Sequence, residues 1–158
     1  MNEHRVTIAR HAVENAPGRL VSVGLGSCVI IAIHDKAAAV GALAHVLLPQ
    51  AAEGAAPDHP AKFANTAVPL LIHALQARGA QGPYTAKLAG GAGLFPDVLS
   101  TQGRVGERNV LAARAALALA GIPIVAEEVG GTVGRSISFD VGSGALAVRK
   151  TGGEAHVI

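Results

Sequence analysis

Cys28-Val29-Ile30-Ile31-Ala32-Ile33-His34-Asp35-Lys36-Ala37-Ala38-Ala39-Val40-Gly41-Ala42-Leu43-Ala44-His45-Val46-Leu47-Leu48 is two apolar runs around a short polar break. Val29 to Ile33 is wholly apolar and rich in β-branched residues, the mark of a strand buried on both faces. Val40 to Leu48 reads as its partner, so residues 28–48 form a hairpin turning near Asp35-Lys36. A two-residue turn at Lys36-Ala37 pairs Asp35 with Ala38 and sets Cys28 directly opposite His45. Opposed side chains on one face stand about 4.5–5.5 Å apart at Cβ, and a one-residue slip would send them to opposite faces.

Working outward, Val6 to Ala9 and Leu20 to Leu25 read as short strands ahead of the hairpin. Gln50 to Pro60, rich in Ala, Gly and Pro, reads as a surface loop. Lys62 to Arg78 carries apolar residues at helical spacing and stops at Gly79, and Pro69 inside it predicts a kink or a late start. Tyr84 to Ala89 is a strand. Glu107 to Ala120 is a helix with an acidic first turn, terminated by Gly121 and Pro123. Ile124 to Val129 is a strand, and Arg135 to Val141 with Ala145 to Lys150 alternate at period two around Gly142-Ser143-Gly144, a second hairpin. This order predicts an α+β layering with helices on one side of the sheet.

The chain has 158 residues, half of them apolar, and a mean hydropathy of +0.40, which predicts one domain with a real core and excludes disorder. Neither a membrane span nor an apolar leader behind Met-Asn-Glu-His-Arg is visible. With one cysteine, this points to the cytoplasm. The net charge is +2, cations are dispersed and aromatics are 3 %, which argues against a nucleic-acid surface. Glycines cluster at Gly24/Gly26, Gly90-Gly91/Gly93, Gly130-Gly131/Gly134 and Gly142/Gly144, as tight turns demand.

Cys28 is the only cysteine, so it forms no internal disulfide. A free thiol, with a pKa of about 8.5, is mostly protonated at neutral pH, and an adjacent imidazole lowers that value and takes the proton. Cys28 and His45 therefore read as a nucleophile and its base, with Ser22 a candidate to orient the imidazole. Gly26 and Ser27 lie where backbone N–H groups can face a developing oxyanion. The competing reading is a buried, inert core cysteine. The remaining histidines (His4, His11, His34, His59, His73, His156) show no metal-binding spacing. Gly24-x-Gly26 lacks the third glycine and the helix of a dinucleotide fingerprint, and no helix follows Gly130-Gly131-Thr132-Val133-Gly134-Arg135 as a phosphate cradle requires.

Five ordered blocks carry a resemblance to a known family: Val23 to Val29, Gly41 to Pro49, Ala86 to Ala92, Gly106-Glu107-Arg108-Asn109, and Gly130-Gly131 with Gly134-Arg135. Together they span about Leu20 to Lys150, and they resemble the CheD family of chemoreceptor glutamine deamidases. The resemblance implies an α/β/β sandwich and conversion of receptor glutamines to glutamates with release of ammonia. It puts the nucleophile on Cys28, the base on His45 and the third residue on Ser22, where the family usually has threonine. Asn65 and Glu128 stand where Asp is usual, and neither is expected to be catalytic. No metal or organic cofactor is implied. The partners implied are chemoreceptor cytoplasmic helices and, in many relatives, a CheC-type phosphatase; some relatives also act as receptor methylesterases. A rival reading is a regulatory module for such a phosphatase that does little chemistry itself. Glu107, Arg108 and Arg135 are expected to form structural ion pairs or caps.

Overall fold

The computed structural model describes residues 2–93 and 104–158. In chain order the elements are β1 (Asn2–Arg5), β2 (His11–Asn15), β3 (Gly18–Leu25), β4 (Val29–Asp35) and β5 (Val40–Val46). A 3-10 turn at Pro60–Lys62 leads into α1 (Ala64–Ala77), followed by β6 (Thr85–Gly90) and α2 (Val105–Leu119). The chain then runs through β7 (Ile124–Val129), β8 (Arg135–Asp140), β9 (Leu146–Lys150) and β10 (Ala155–Val157).

These strands form two five-stranded mixed sheets, ordered β1-β3-β8-β9-β10 and β2-β5-β4-β6-β7. The second sheet lies in the middle. One face packs Val29, Ile31, Ile33, Ala42, Ala44 and Leu88 against Leu71, Leu75, Val110 and Leu117 of the helices. The opposite face packs Cys28, Ile30, Ala32, Leu43 and Ala89 against Leu20, Ile137, Phe139, Leu146 and Val148 of the other sheet. Every residue of β4 and β5 is consequently buried, which is why Val29 to Ile33 and Val40 to Ala44 are apolar or glycine without alternation. Each Ile, Leu or Val enclosed this way contributes about 1.5–3 kcal/mol. The result is the expected α/β/β layering with both helices on one side.

The hairpin register differs from the sequence expectation. Asp35 pairs with Val40 and Ile30 with His45, so the turn holds four residues rather than two. Asp35 Oδ1 accepts the Ala38 N–H at 2.9 Å, and Ala39 adopts φ 52°, a left-handed conformation rarely chosen by alanine. The slip is an even number of residues, so Cys28 and His45 stay on one face, as diagonal rather than direct neighbours.

Other expectations shift as well. Val6 to Ala9 is not a strand; it turns, with Arg10 N–H donating to Thr7 O, and carries the chain from β1 in the outer sheet to β2 in the middle one. The first helix starts at Ala64 and runs on through Pro69, without a late start.

Candidate functional site

His45 sits near the end of β5, its backbone fixed on both sides. Its N–H donates to Arg10 O at 3.0 Å, and its carbonyl accepts the Ala9 N–H at 2.9 Å. The ring points between the two sheets and is 1 % exposed. There Nδ1 lies 2.7 Å from Ser22 Oγ, a fully buried hydroxyl that donates to Val6 O at 2.6 Å. A hydroxyl has one proton, and Ser22 gives it to Val6, so Ser22 must accept from Nδ1–H. The tautomer is thereby set: the proton is on Nδ1, and Nε2 keeps its lone pair. Nε2 is buried and has no hydrogen-bond partner among the described residues. Burial holds the imidazole below its ordinary pKa, with the nearby Val6 carbonyl acting the other way. The ring is therefore kept neutral and basic at Nε2.

Cys28 immediately precedes β4 and faces the same inter-sheet core as His45. Its thiol is a free one, 6 % exposed. Burial raises its pKa, and its own backbone N–H, facing the sulfur, pulls the other way. Cys28 Sγ and His45 Nε2 are not hydrogen-bonded to each other. His45 also lines a surface hollow of about 350 Å³ together with Arg5, Val6, Thr7, Ile8 and Val23.

The loop carrying Gly26, Ser27 and Cys28 is tied down through three successive carbonyls. Gly26 O accepts from Ala92 N–H at 2.9 Å, Ser27 O from Asn109 Nδ2 at 2.9 Å, and Cys28 O from Gly91 N–H at 2.8 Å. Gly90 makes this approach possible: it holds φ +109°, and a Cβ there would stand 2.2 Å from Cys28 O. Gly90 O in turn accepts from Arg135 Nη1 at 3.3 Å. Arg135 is buried and ion-paired with Glu128, which Lys150 also approaches at 3.4 Å. Arg135 thus has the structural pairing expected of it. For Glu128, burial pushes the carboxyl up, but Arg135 and Lys150 outweigh that and hold it below the usual range. Glu107 stands exposed in the first turn of α2. Asn65 Oδ1 accepts the Ala51 N–H at 2.9 Å, anchoring the loop after β5. What the sequence left without a role is Asn109 and the Gly90-Gly91 pair, whose partners lie far away in the chain.

Among the described residues no helix is long and apolar enough to cross a membrane. Residues 47–150 match the family model described as CheD chemotactic sensory transduction. The chain is 47 % identical over 149 residues to the probable chemoreceptor glutamine deamidase CheD 2 of Geobacter metallireducens, covering 91 % of each sequence. It is 42 % identical over 149 residues to the chemoreceptor glutamine deamidase CheD of Thermotoga maritima, covering 94 % of this chain and 92 % of that protein. The probable CheD of Moorella thermoacetica is 42 % identical over 159 residues, covering 99 % of this chain and 95 % of that one.

Proposed function

This chain belongs to the CheD family, and from that premise we propose that it deamidates glutamine side chains of chemoreceptors, with Cys28 as nucleophile, His45 as general base and acid, and Ser22 as the residue that orients His45. The observation that carries this reading is the buried Nε2 of His45, which has no hydrogen-bond partner among the described residues. Its ring is held by Ser22 through Nδ1, on the same inter-sheet face as the only cysteine. A basic nitrogen sealed in this way has cost stability, and a nearby thiol is the group it suits.

In the first half-reaction the thiol proton passes to Nε2 and Sγ attacks the side-chain amide carbon. The C–S bond forms and the carbonyl π pair moves onto oxygen. The Cys28 N–H, with that of Ser27, stabilises this oxyanion. The C–N bond then breaks as the imidazolium returns its proton to the departing nitrogen, and ammonia leaves a thioester. In the second half, His45 takes a proton from water, the hydroxide oxygen attacks the thioester carbon, and the C–S bond breaks as the imidazolium returns that proton to Sγ. Glutamate and the free thiol result, so the net change is glutamine plus water to glutamate plus ammonia. Ser22 Oγ accepts from Nδ1–H throughout and stabilises the imidazolium each time it forms.

Peptide mapping of a chemoreceptor cytoplasmic fragment after incubation with the protein tests the substrate assignment. Conversion of specific glutamines to glutamates, absent with Cys28→Ala, is the expected result. An unmodified fragment from the same organism, with the protein folded and Cys28 reduced, would overturn it.

A further inference from the structure

Asn109 lies fully buried in α2, and its carboxamide reaches the backbone of two distant segments. One Nδ2 proton goes to Ser27 O at 2.9 Å and the other to Leu47 O at 3.0 Å. Ser27 adjoins Cys28, and Leu47 lies two residues beyond His45. The last rung between β4 and β5 is Val29 with Val46. Past it the strands separate, and Leu47 N–H turns instead to Lys62 O at 2.9 Å. The carboxamide of Asn109 therefore bridges the two strands where the backbone ladder ends. Resting on the Cys28–His45 reading above, we propose that Asn109 is a positioning residue, a clamp that fixes the nucleophile strand against the base strand and aims the Cys28 N–H at the oxyanion.

The second part follows from peptide planarity. The Ser27–Cys28 peptide is not among the cis bonds of the described residues, so its C=O and N–H point in opposite directions. With Ser27 O drawn towards Asn109, the Cys28 N–H is turned away from α2, to the side of its own sulfur. That N–H also acts to lower the thiol pKa against the effect of burial. Asn109 Oδ1, meanwhile, is buried and has no hydrogen-bond partner among the described residues. A carboxamide with a stranded oxygen is a poor choice for packing alone, so its two donated bonds are the reason to look for at this position.

The test uses the full chain with a receptor cytoplasmic fragment, comparing wild type, Asn109→Ala and Cys28→Ala. Ammonia release gives kcat and KM, and alkylation of Cys28 by iodoacetamide across pH reports the thiol. Asn109→Ala is expected to keep KM within about twofold while kcat falls about 10- to 100-fold, the scale of a small misplacement of reacting groups. The alkylation midpoint is expected to move to higher pH, because the thiolate loses its N–H donor. An unchanged kcat, or a lower kcat with an unchanged alkylation profile, would overturn the clamp. If Asn109→Ala does not fold, Asn109→Ser, which cannot span both carbonyls, carries the same test. Its wild-type kcat and alkylation profile would overturn the proposal. Persistent release by Cys28→Ala would instead refute the nucleophile assignment beneath it.

Discussion

Ser22→Ala probes the setting of the imidazole without touching substrate. The hydroxyl is fully buried and makes two short contacts, 2.6 Å to Val6 O and 2.7 Å to His45 Nδ1. Removing it strands one buried acceptor and one buried donor. Leaving a buried polar group unsatisfied costs about 1–3 kcal/mol. In a chain of 158 residues each kcal/mol moves the melting temperature by about 2–4 °C, so about 2–6 kcal/mol for the two groups predicts a drop of at least about 4 °C. The catalytic effect has a separate origin. With Ser22 gone, only the nearby Val6 carbonyl still favours the proton on Nδ1, and the tautomer carrying it on Nε2, which cannot accept the thiol proton, gains population. General base catalysis is worth about 10²–10⁴-fold, and partial loss of the correct tautomer and orientation lowers kcat about 10- to 100-fold. KM should hold, because Ser22 has no surface for a substrate to meet. Steady-state ammonia release, run well below both melting temperatures, measures this. A variant with the expected melting loss but kcat within twofold of wild type would refute the reasoning, since Ser22 would then be a packing residue. Ser22→Thr keeps the hydroxyl and should retain activity.

Gly90→Ala forces a Cβ to within 2.2 Å of Cys28 O at φ +109°, so the nucleophile loop must move. A melting loss of several degrees, from about 1–3 kcal/mol of strain, should come with at least a tenfold drop in ammonia release; normal release would show that the loop has slack. His45 and His11 are both held by burial below their ordinary value of 6.5. As pH falls through about 6.5 the unfolded chain therefore binds protons that the folded chain refuses, so stability is full above that pH and declines below it. Urea midpoints at about pH 8, 6 and 5 should fall in that order, and a midpoint that rises on acidification would contradict the assignment. By the same shift, the acid limb of kcat/KM should have its midpoint below 6.5. Arg114 and Glu127 form a partly exposed pair at 2.8 Å, and Glu127→Gln should change stability by no more than about 1 kcal/mol; a larger loss in a melt would show the pair to be better shielded.

The α+β layering was legible in the order of strands and helices, and the burial of Val29 to Ile33 on both faces in their unbroken apolar run. The face shared by Cys28 and His45 was legible too, since it depends only on the parity of the register. The register itself was not. It is set by Ala39 in a left-handed conformation and by Asp35 accepting the Ala38 N–H, and neither alanine announces that geometry. Three edge strands escaped notice for one reason: β1 and β10 are exposed along their whole length and β2 along part of it, so no buried face imposes a hydrophobic pattern. Val6 to Ala9 misled in the opposite way, with apolar residues spent on a turn between sheets. The pairing of Ser22 with His45 follows from two strands in different sheets, and spacing could nominate the serine without locating it. Asn109 stood in a recognisable block, but its partners are 82 and 62 residues away in sequence. Such contacts leave no local signal.

The rate of ammonia release by Cys28→Ala on a chemoreceptor cytoplasmic fragment, set beside wild type, bears most directly on the whole account. Release reduced to the level of the fragment alone, with the variant folded and His45 intact, is the predicted result. Release at or near the wild-type rate would place the chemistry elsewhere and contradict it.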